Sequence, residues 1–135
     1  MADDCGDRAL RRSEKLIAIV EDDPDLTAVF CEALPLFGQW RLHIIADGQI
    51  ARNSLPSMNA DLILLDVGLP GLDGVSLYKF LRGHSKTKHT PIVIITGSRD
   101  WELHRMGLLT GILLQKPFNI HELVGIIQAL LSEYP

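Results

Sequence analysis

The chain has 135 residues, 47% hydrophobic and 22% charged, which supports one globular domain and excludes two ordinary ones. Its formal net charge of -4 argues against nucleic acid as a direct partner. Two cysteines, Cys5 and Cys31, supply neither a disulfide framework nor a metal-ligand spacing, and no apolar run approaches the roughly 18 residues of a membrane span.

Residues 1–14 are polar, with Arg8, Arg11 and Arg12 close together, and read as a flexible N-terminal arm. No apolar h-region of a signal peptide is present, so a reducing cytoplasm is the expected setting. Lys15–Val20 is a short apolar run ending on Glu21-Asp22-Asp23, with Pro24 behind it. This pattern predicts a buried strand, then a helix that Asp23 caps and Pro24 opens. Leu26, Val29, Phe30, Ala33, Leu34 and Phe37 recur at helical spacing, and Gly38 ends the run. Cys31 falls in this helix and reads as a small packing residue rather than a reactive thiol.

Trp40–Ala46 predicts the next strand. Asp47 can cap a short helix to about Leu55, broken by Pro56-Ser57. Ala60–Leu65 predicts the central strand, and its four apolar residues Leu62–Leu65 end on the carboxylate of Asp66, followed by Gly68, Pro70, Gly71 and Gly74. Unbroken apolar residues bounded by turn residues predict a parallel strand covered on both faces. Asp73 or Gly74 starts a helix with Val75, Tyr78 and Leu81 on one face, and residues 83–90 form a polar loop. Pro91–Ile95 predicts a fourth strand, ending at Thr96-Gly97-Ser98. Asp100–Leu109 has a ragged helical pattern, and Gly111–Leu114 predicts a fifth strand ending at Gln115-Lys116-Pro117. Asn119 caps a last helix carrying Ile120, Leu123, Val124, Ile127, Leu130 and Leu131.

Strands alternating with helices predict an α/β fold: a doubly wound, five-stranded parallel sheet with helices on both faces. In such a sheet ligands bind beyond the carboxyl ends of the strands, which share one edge. Four strand ends are polar: Glu21-Asp22, Asp66, Thr96 and Lys116, up to 95 positions apart. Alone, each has an ordinary explanation, since an Asp after a strand is usually a cap and a Lys-Pro usually solvated loop. Asp23 and Asp73 are better read as caps, and His43, His84, His89, His104 and His121 show no ligand spacing. Their convergence is what carries weight. Clustered carboxylates repel and call for a cation, and a hard divalent ion such as Mg²⁺ suits oxygen ligands. An ammonium and a hydroxyl beside them would neutralise a phosphoryl group in transfer, with Asp66 as the nucleophile that becomes an acyl phosphate.

Taken in order, Val20-Glu21-Asp22-Asp23-Pro24, Leu65-Asp66-Val67-Gly68-Leu69-Pro70-Gly71-Leu72-Asp73-Gly74, Ile95-Thr96-Gly97 and Lys116-Pro117-Phe118 resemble the receiver domain of two-component response regulators. The similarity covers about residues 15–133, so residues 15–135 are expected to be the receiver domain. It implies the flavodoxin-like strand order 2-1-3-4-5, an order illustrated in general accounts of the fold by a receiver protein. It further implies that Asp66 is phosphorylated from a phosphohistidine on a sensor histidine kinase or phosphotransferase. Glu21, Asp22, Asp66 and the main-chain carbonyl of Gly68 would hold Mg²⁺, Glu21 through water, while Thr96 and Lys116 would contact the phosphoryl oxygens. A downstream protein of unknown identity would read the switch, homodimer formation is compatible with this reading, and neither nucleic acid nor membrane is an expected direct partner.

Three departures from the family pattern stand out. Leu113 replaces an aromatic usually found three residues before the lysine, the segment from Thr96 to Lys116 is about two residues short, and Gly97 replaces a small Ala. These predict intact phosphorylation chemistry with a different readout on the face built by Trp101–Leu114 and the last helix. Gly68, bare of side chain, predicts a short-lived acyl phosphate. The expected protein is a stand-alone receiver or one excised from a larger regulator, catalysing only its own phosphorylation and dephosphorylation. The alternative is a phosphohydrolase with an aspartyl nucleophile, whose usual second Asp is replaced here by Gly68.

Overall fold

The computed structural model describes residues 3–4, 14–67, 73–97 and 112–132. Six strands form one sheet: β1 (Asp3–Asp4), β2 (Lys15–Val20), β3 (Trp40–Ile45), β4 (Leu62–Asp66), β5 (Ile92–Thr96) and β6 (Leu113–Gln115). The order across it is β1-β3-β2-β4-β5-β6. All neighbours from β3 to β6 are parallel, so the five parallel strands follow the expected 2-1-3-4-5 order. β1 was not anticipated: Asp3 and Asp4 pair antiparallel with Ile44 and His43 at the β3 edge.

Four helices are described: α1 (Pro24–Ala33, continued by a 3-10 turn over Leu34–Leu36), α2 (Gly48–Met58), α3 (Gly74–Gly83) and α4 (Ile120–Leu131). The predicted caps form. Asp23 accepts from the Asp25 amide, Asp47 from Gln49 and Ile50, Asp73 from Val75, and Asn119 from His121. Each satisfies amides that a helix start leaves without intrahelical partners.

The unbroken apolar strands behave as buried parallel strands should. In β4, Leu62 and Leu64 pack on one face with Ile17, Ile19, Phe30, Leu34, Val93, Leu123, Val124 and Ile127. Ile63 and Leu65 point the other way, toward Ala18, Val20, Ala51, Leu55, Leu77, Tyr78 and Leu81. The period of two thus feeds two separate cores, one under α1 and α4 and one under α2 and α3.

Three readings need correction. The second helix does not break at Pro56; it runs to Met58 and closes on Asn59 in the left-handed conformation, φ 59° and ψ 40°. In the last turn a proline removes a single bond, to the carbonyl of exposed Arg52, which water can satisfy. Cys31 is not merely a small packing residue: it is disulfide-bonded, and no described cysteine is a free thiol. The last parallel strand is Leu113–Gln115 rather than Gly111–Leu114. The expected helix over 100–109 and the readout face over 101–111 lie outside the described residues, as does Gly68. No helix among the described residues is long and apolar enough to cross a membrane.

Candidate functional site

Strand register brings the polar strand ends together. Val20 pairs with Leu65, Asp66 with Ile95, and Thr96 with Gln115. Glu21, Asp66, Thr96 and Lys116 therefore emerge at one edge of the sheet. Main-chain bonds fix their exit: the Glu21 amide donates to the Ile45 carbonyl at 3.0 Å, the Val67 amide to Ile95 at 3.3 Å, and the Lys116 amide to Thr96 at 2.7 Å.

Asp66 is the last residue of β4 and only 7% exposed. Its Oδ2 accepts a hydrogen bond from Lys116 Nζ at 2.9 Å. The same ammonium lies 3.8 Å from Glu21 Oε1. Glu21, Asp22 and Asp66 each offer a carboxylate oxygen, and the three oxygens lie within 4.8 Å of one another. Asp22 is exposed while Glu21 and Asp66 are buried, so the cluster opens to solvent on the Asp22 side. Among the described residues it is the one group of three acids, histidines or cysteines close enough to share a metal ion.

Glu21 is oriented by its own backbone. Its Oε2 accepts from the Asp22 and Asp23 amides, both at 3.1 Å, which turns Oε1 inward. Oε1 is buried and accepts no hydrogen bond from the described residues. A buried carboxylate oxygen in that position is costly unless a cation faces it. Burial is the main reason the Glu21 carboxyl is pushed up to about 8; the hydrogen bond and charge of Asp66 add to this, while the Asp23 amide and Lys116 oppose it. For Lys116, burial disfavours the ammonium, but the Asp66 hydrogen bond and charge, helped by Glu21 and Asp23, outweigh it and raise its pKa. The chemistry of the donor set fits a hard divalent cation: oxygen donors only, crowded enough to repel, with Glu21 Oε1 making no hydrogen bond and meeting only the Lys116 ammonium at 3.8 Å.

Thr96 closes β5 next to Ile95, the register partner of Asp66, and is 1% exposed. Asp23 serves as the α1 cap, as its position predicts, with Oδ1 accepting from Asp25 at 2.9 Å. No histidine joins the acidic group among the described residues. A Cβ added at Gly97 would meet nothing within 4 Å among the described residues. Leu113, where an aromatic was expected, packs half-buried against the α2–α3 core. Two features of the site had no signal in the sequence pattern: the Glu21 brace on its own following amides, and the cis peptide between Lys116 and Pro117.

The chain is similar in sequence and fold to known proteins. A family model described as "Response regulator receiver domain" matches residues 17–128. The transcriptional regulatory protein CpxR of Escherichia coli K12 is 39% identical over 118 residues, covering 85% of this chain and 48% of that protein. The DNA-binding response regulator MtrA of Mycolicibacterium smegmatis is 34% identical over 117 residues, covering 85% of this chain and 50% of its own length. The chain thus spans about half the length of the curated relatives it matches. Among solved structures, the receiver domain of the sensor histidine kinase PA1611 from Pseudomonas aeruginosa, with magnesium in its active site cleft, superposes with a TM-score of 0.76. It is 32% identical, and the match covers 89% of this chain and all of that one. The BeF3-activated receiver domain of Klebsiella pneumoniae RstA gives 0.75 at 27% identity, covering 88% of this chain and all of that one. The phosphohydrolase alternative finds no support in these matches. By its family match, its strand order and the acids gathered at the sheet edge, the chain belongs to the response regulator receiver domain family.

Proposed function

We propose that Asp66 is the phosphoacceptor of this receiver domain and that residues 15–135 act as a Mg²⁺-dependent phosphorylation switch. The observation that carries the reading is the meeting of Asp66 with Glu21, Asp22 and Lys116 at one rim. Glu21, Asp22 and Asp66, with the Gly68 carbonyl, would hold Mg²⁺, which supplies positive charge to the phosphoryl oxygens when bound. An Asp66 carboxylate oxygen attacks phosphorus, the phosphorus–nitrogen bond of a phosphohistidine breaks, and the leaving imidazole takes a proton. Lys116, already beside Asp66, offsets the developing negative charge, and the Thr96 hydroxyl donates to a phosphoryl oxygen. The new group brings about -1.5 to -2 charges into the pocket, which is the signal to be read.

A sensor histidine kinase or phosphotransferase supplies the phosphoryl group in this reading, and a separate protein or region reads it. The relatives' names make transcriptional or DNA-binding regulation one such output. The domain turns over no external substrate beyond its own phosphorylation and dephosphorylation. The chain before Lys15 takes no part in the switch in this reading. The test is labelling by acetyl phosphate with and without Mg²⁺, in wild type and Asp66→Ala. One phosphoryl group per wild-type chain, lost without Mg²⁺ and in the variant, is expected. Equal labelling of Asp66→Ala refutes the assignment.

A further inference from the structure

The residue after the phosphoacceptor is clamped from two sides. On one side the Val67 amide donates to the Ile95 carbonyl at 3.3 Å. On the other, α3 begins with Gly74 lying almost on top of it. A Cβ at Gly74 would sit 2.4 Å from Val67 Cα, 2.8 Å from Val67 Cβ and 2.9 Å from the Val67 carbonyl oxygen. The obstacle is backbone, not the far end of a flexible side chain. Nor can α3 easily retreat, because Leu77, Tyr78 and Leu81 are buried in the core it shares with β4 and β5. Its first turn is further tied by Asp73, which accepts from the Val75 amide and the Ser76 hydroxyl, each at 3.3 Å.

We propose that Gly74 is a positioning residue for Asp66. Its bare α-carbon lets the start of α3 seat directly on the peptide that follows the phosphoacceptor, and that contact holds the carboxylate against Lys116 and the two other acids. The inference rests on the reading of Asp66 as phosphoacceptor. A methyl group at position 74 needs about 1 Å more room than the structure leaves, and the covalent neighbour of Asp66 is what must yield. Misplacement of a reacting group by about 1 Å costs on the order of 100-fold in rate.

The same helix provides its own control. Gly83, at the far end of α3, has nothing among the described residues within 4 Å of an added Cβ. Gly74→Ala and Gly83→Ala are therefore the same chemical change in one helix, one beside the site and one remote from it. Phosphoryl uptake from acetyl phosphate is measured at saturating Mg²⁺, with Mg²⁺ affinity from calorimetry, at a temperature where circular dichroism shows each protein folded. The expected result is uptake about 100-fold slower and weaker Mg²⁺ binding in Gly74→Ala, with Gly83→Ala within twofold of wild type on both. Wild-type uptake and affinity in a folded Gly74→Ala overturn the inference. A wild type that takes no label removes the Asp66 reading, and this inference with it. Should Gly74→Ala fail to fold, the double variant Gly74→Ala with Val67→Gly is read instead, since a glycine at 67 removes the Cβ contact at 2.8 Å and widens the conformations its backbone can take to shift the rest. A folded double variant with slow uptake supports the clamp; one that stays unfolded, or labels at the wild-type rate, overturns it.

Discussion

Replacing Lys116 by methionine should move two properties of this domain in opposite directions. The ammonium lies 2.9 Å from Asp66 and 3.8 Å from Glu21, and removing it leaves the buried Asp66 carboxylate facing the Glu21 carboxyl with no cation beside them. Breaking a fully buried pair costs about 3–5 kcal/mol, while an exposed one is worth about 0–1 kcal/mol. With the Lys116 side chain 34% exposed and that of Asp66 9%, about 2 kcal/mol is the reasonable intermediate. For a domain of this size that lowers Tm by about 6–10 °C in metal-free buffer. A divalent cation replaces the missing charge, so Mg²⁺ should bind the variant more tightly. Recovery of about 1.4 kcal/mol of the lost pairing corresponds to tenfold in Kd. Phosphoryl transfer should instead slow by about 10²–10³, the usual cost of removing one group that stabilises developing charge. Thermal melts across a Mg²⁺ titration measure the first effect, and acetyl phosphate labelling at saturating Mg²⁺ the second. A Lys116→Met protein that binds Mg²⁺ no more tightly than wild type, or labels as fast, would refute the reasoning.

Three further outcomes follow from the same coordinates. Glu21 is held up near 8 by burial and Asp66, above its unfolded value, so its contribution to metal-free stability is present at acid pH and lost as pH rises through 8; urea unfolding in a chelator should show wild type weakening from pH 6 to 9 and Glu21→Gln staying flat, and parallel profiles would contradict this. Leu64→Ala, at a fully buried β4 position, should cost about 2–5 kcal/mol by urea denaturation, with any loss of phosphoryl uptake no larger than its unfolded fraction explains. Gly97→Ala, with nothing among the described residues within 4 Å of the added methyl, should leave folding and labelling within twofold of wild type, and a larger loss would show that the loop after Thr96 needs glycine for another reason.

The sheet was legible because its strands carry one message each. Runs such as Leu62–Leu65 and Ile92–Ile95 are apolar on both faces, and only a parallel sheet between two helical layers buries both. The site was legible for a related reason: parallel strands bring their carboxyl ends to one edge, so Glu21, Asp66 and Lys116 could be grouped from order alone. Pairwise geometry was not legible. Nothing in Glu21-Asp22-Asp23 says that Glu21 folds back onto the next two amides, because that depends on the turn the backbone takes. Pro56 misled because a proline's cost depends on whether its lost bond falls mid-helix or in the last turn, and composition does not reveal that. The Asp3–Asp4 edge pairing carries no hydrophobic pattern to announce it. Likewise, the closeness of Gly74 to Val67 reflects how deeply α3 docks, a tertiary quantity.

The brace on Glu21 carries a consequence for ion choice. A carboxylate with one oxygen tied to its own backbone has a single arm to extend and cannot chelate with both. Large alkaline-earth ions such as Ca²⁺ seek six to eight oxygens and favour bidentate grips, whereas Mg²⁺ accepts single contacts and keeps its waters. A pocket braced in this way would favour Mg²⁺ by withholding a donor, and the amides that brace it belong to the turn linking the first parallel strand to the helix after it.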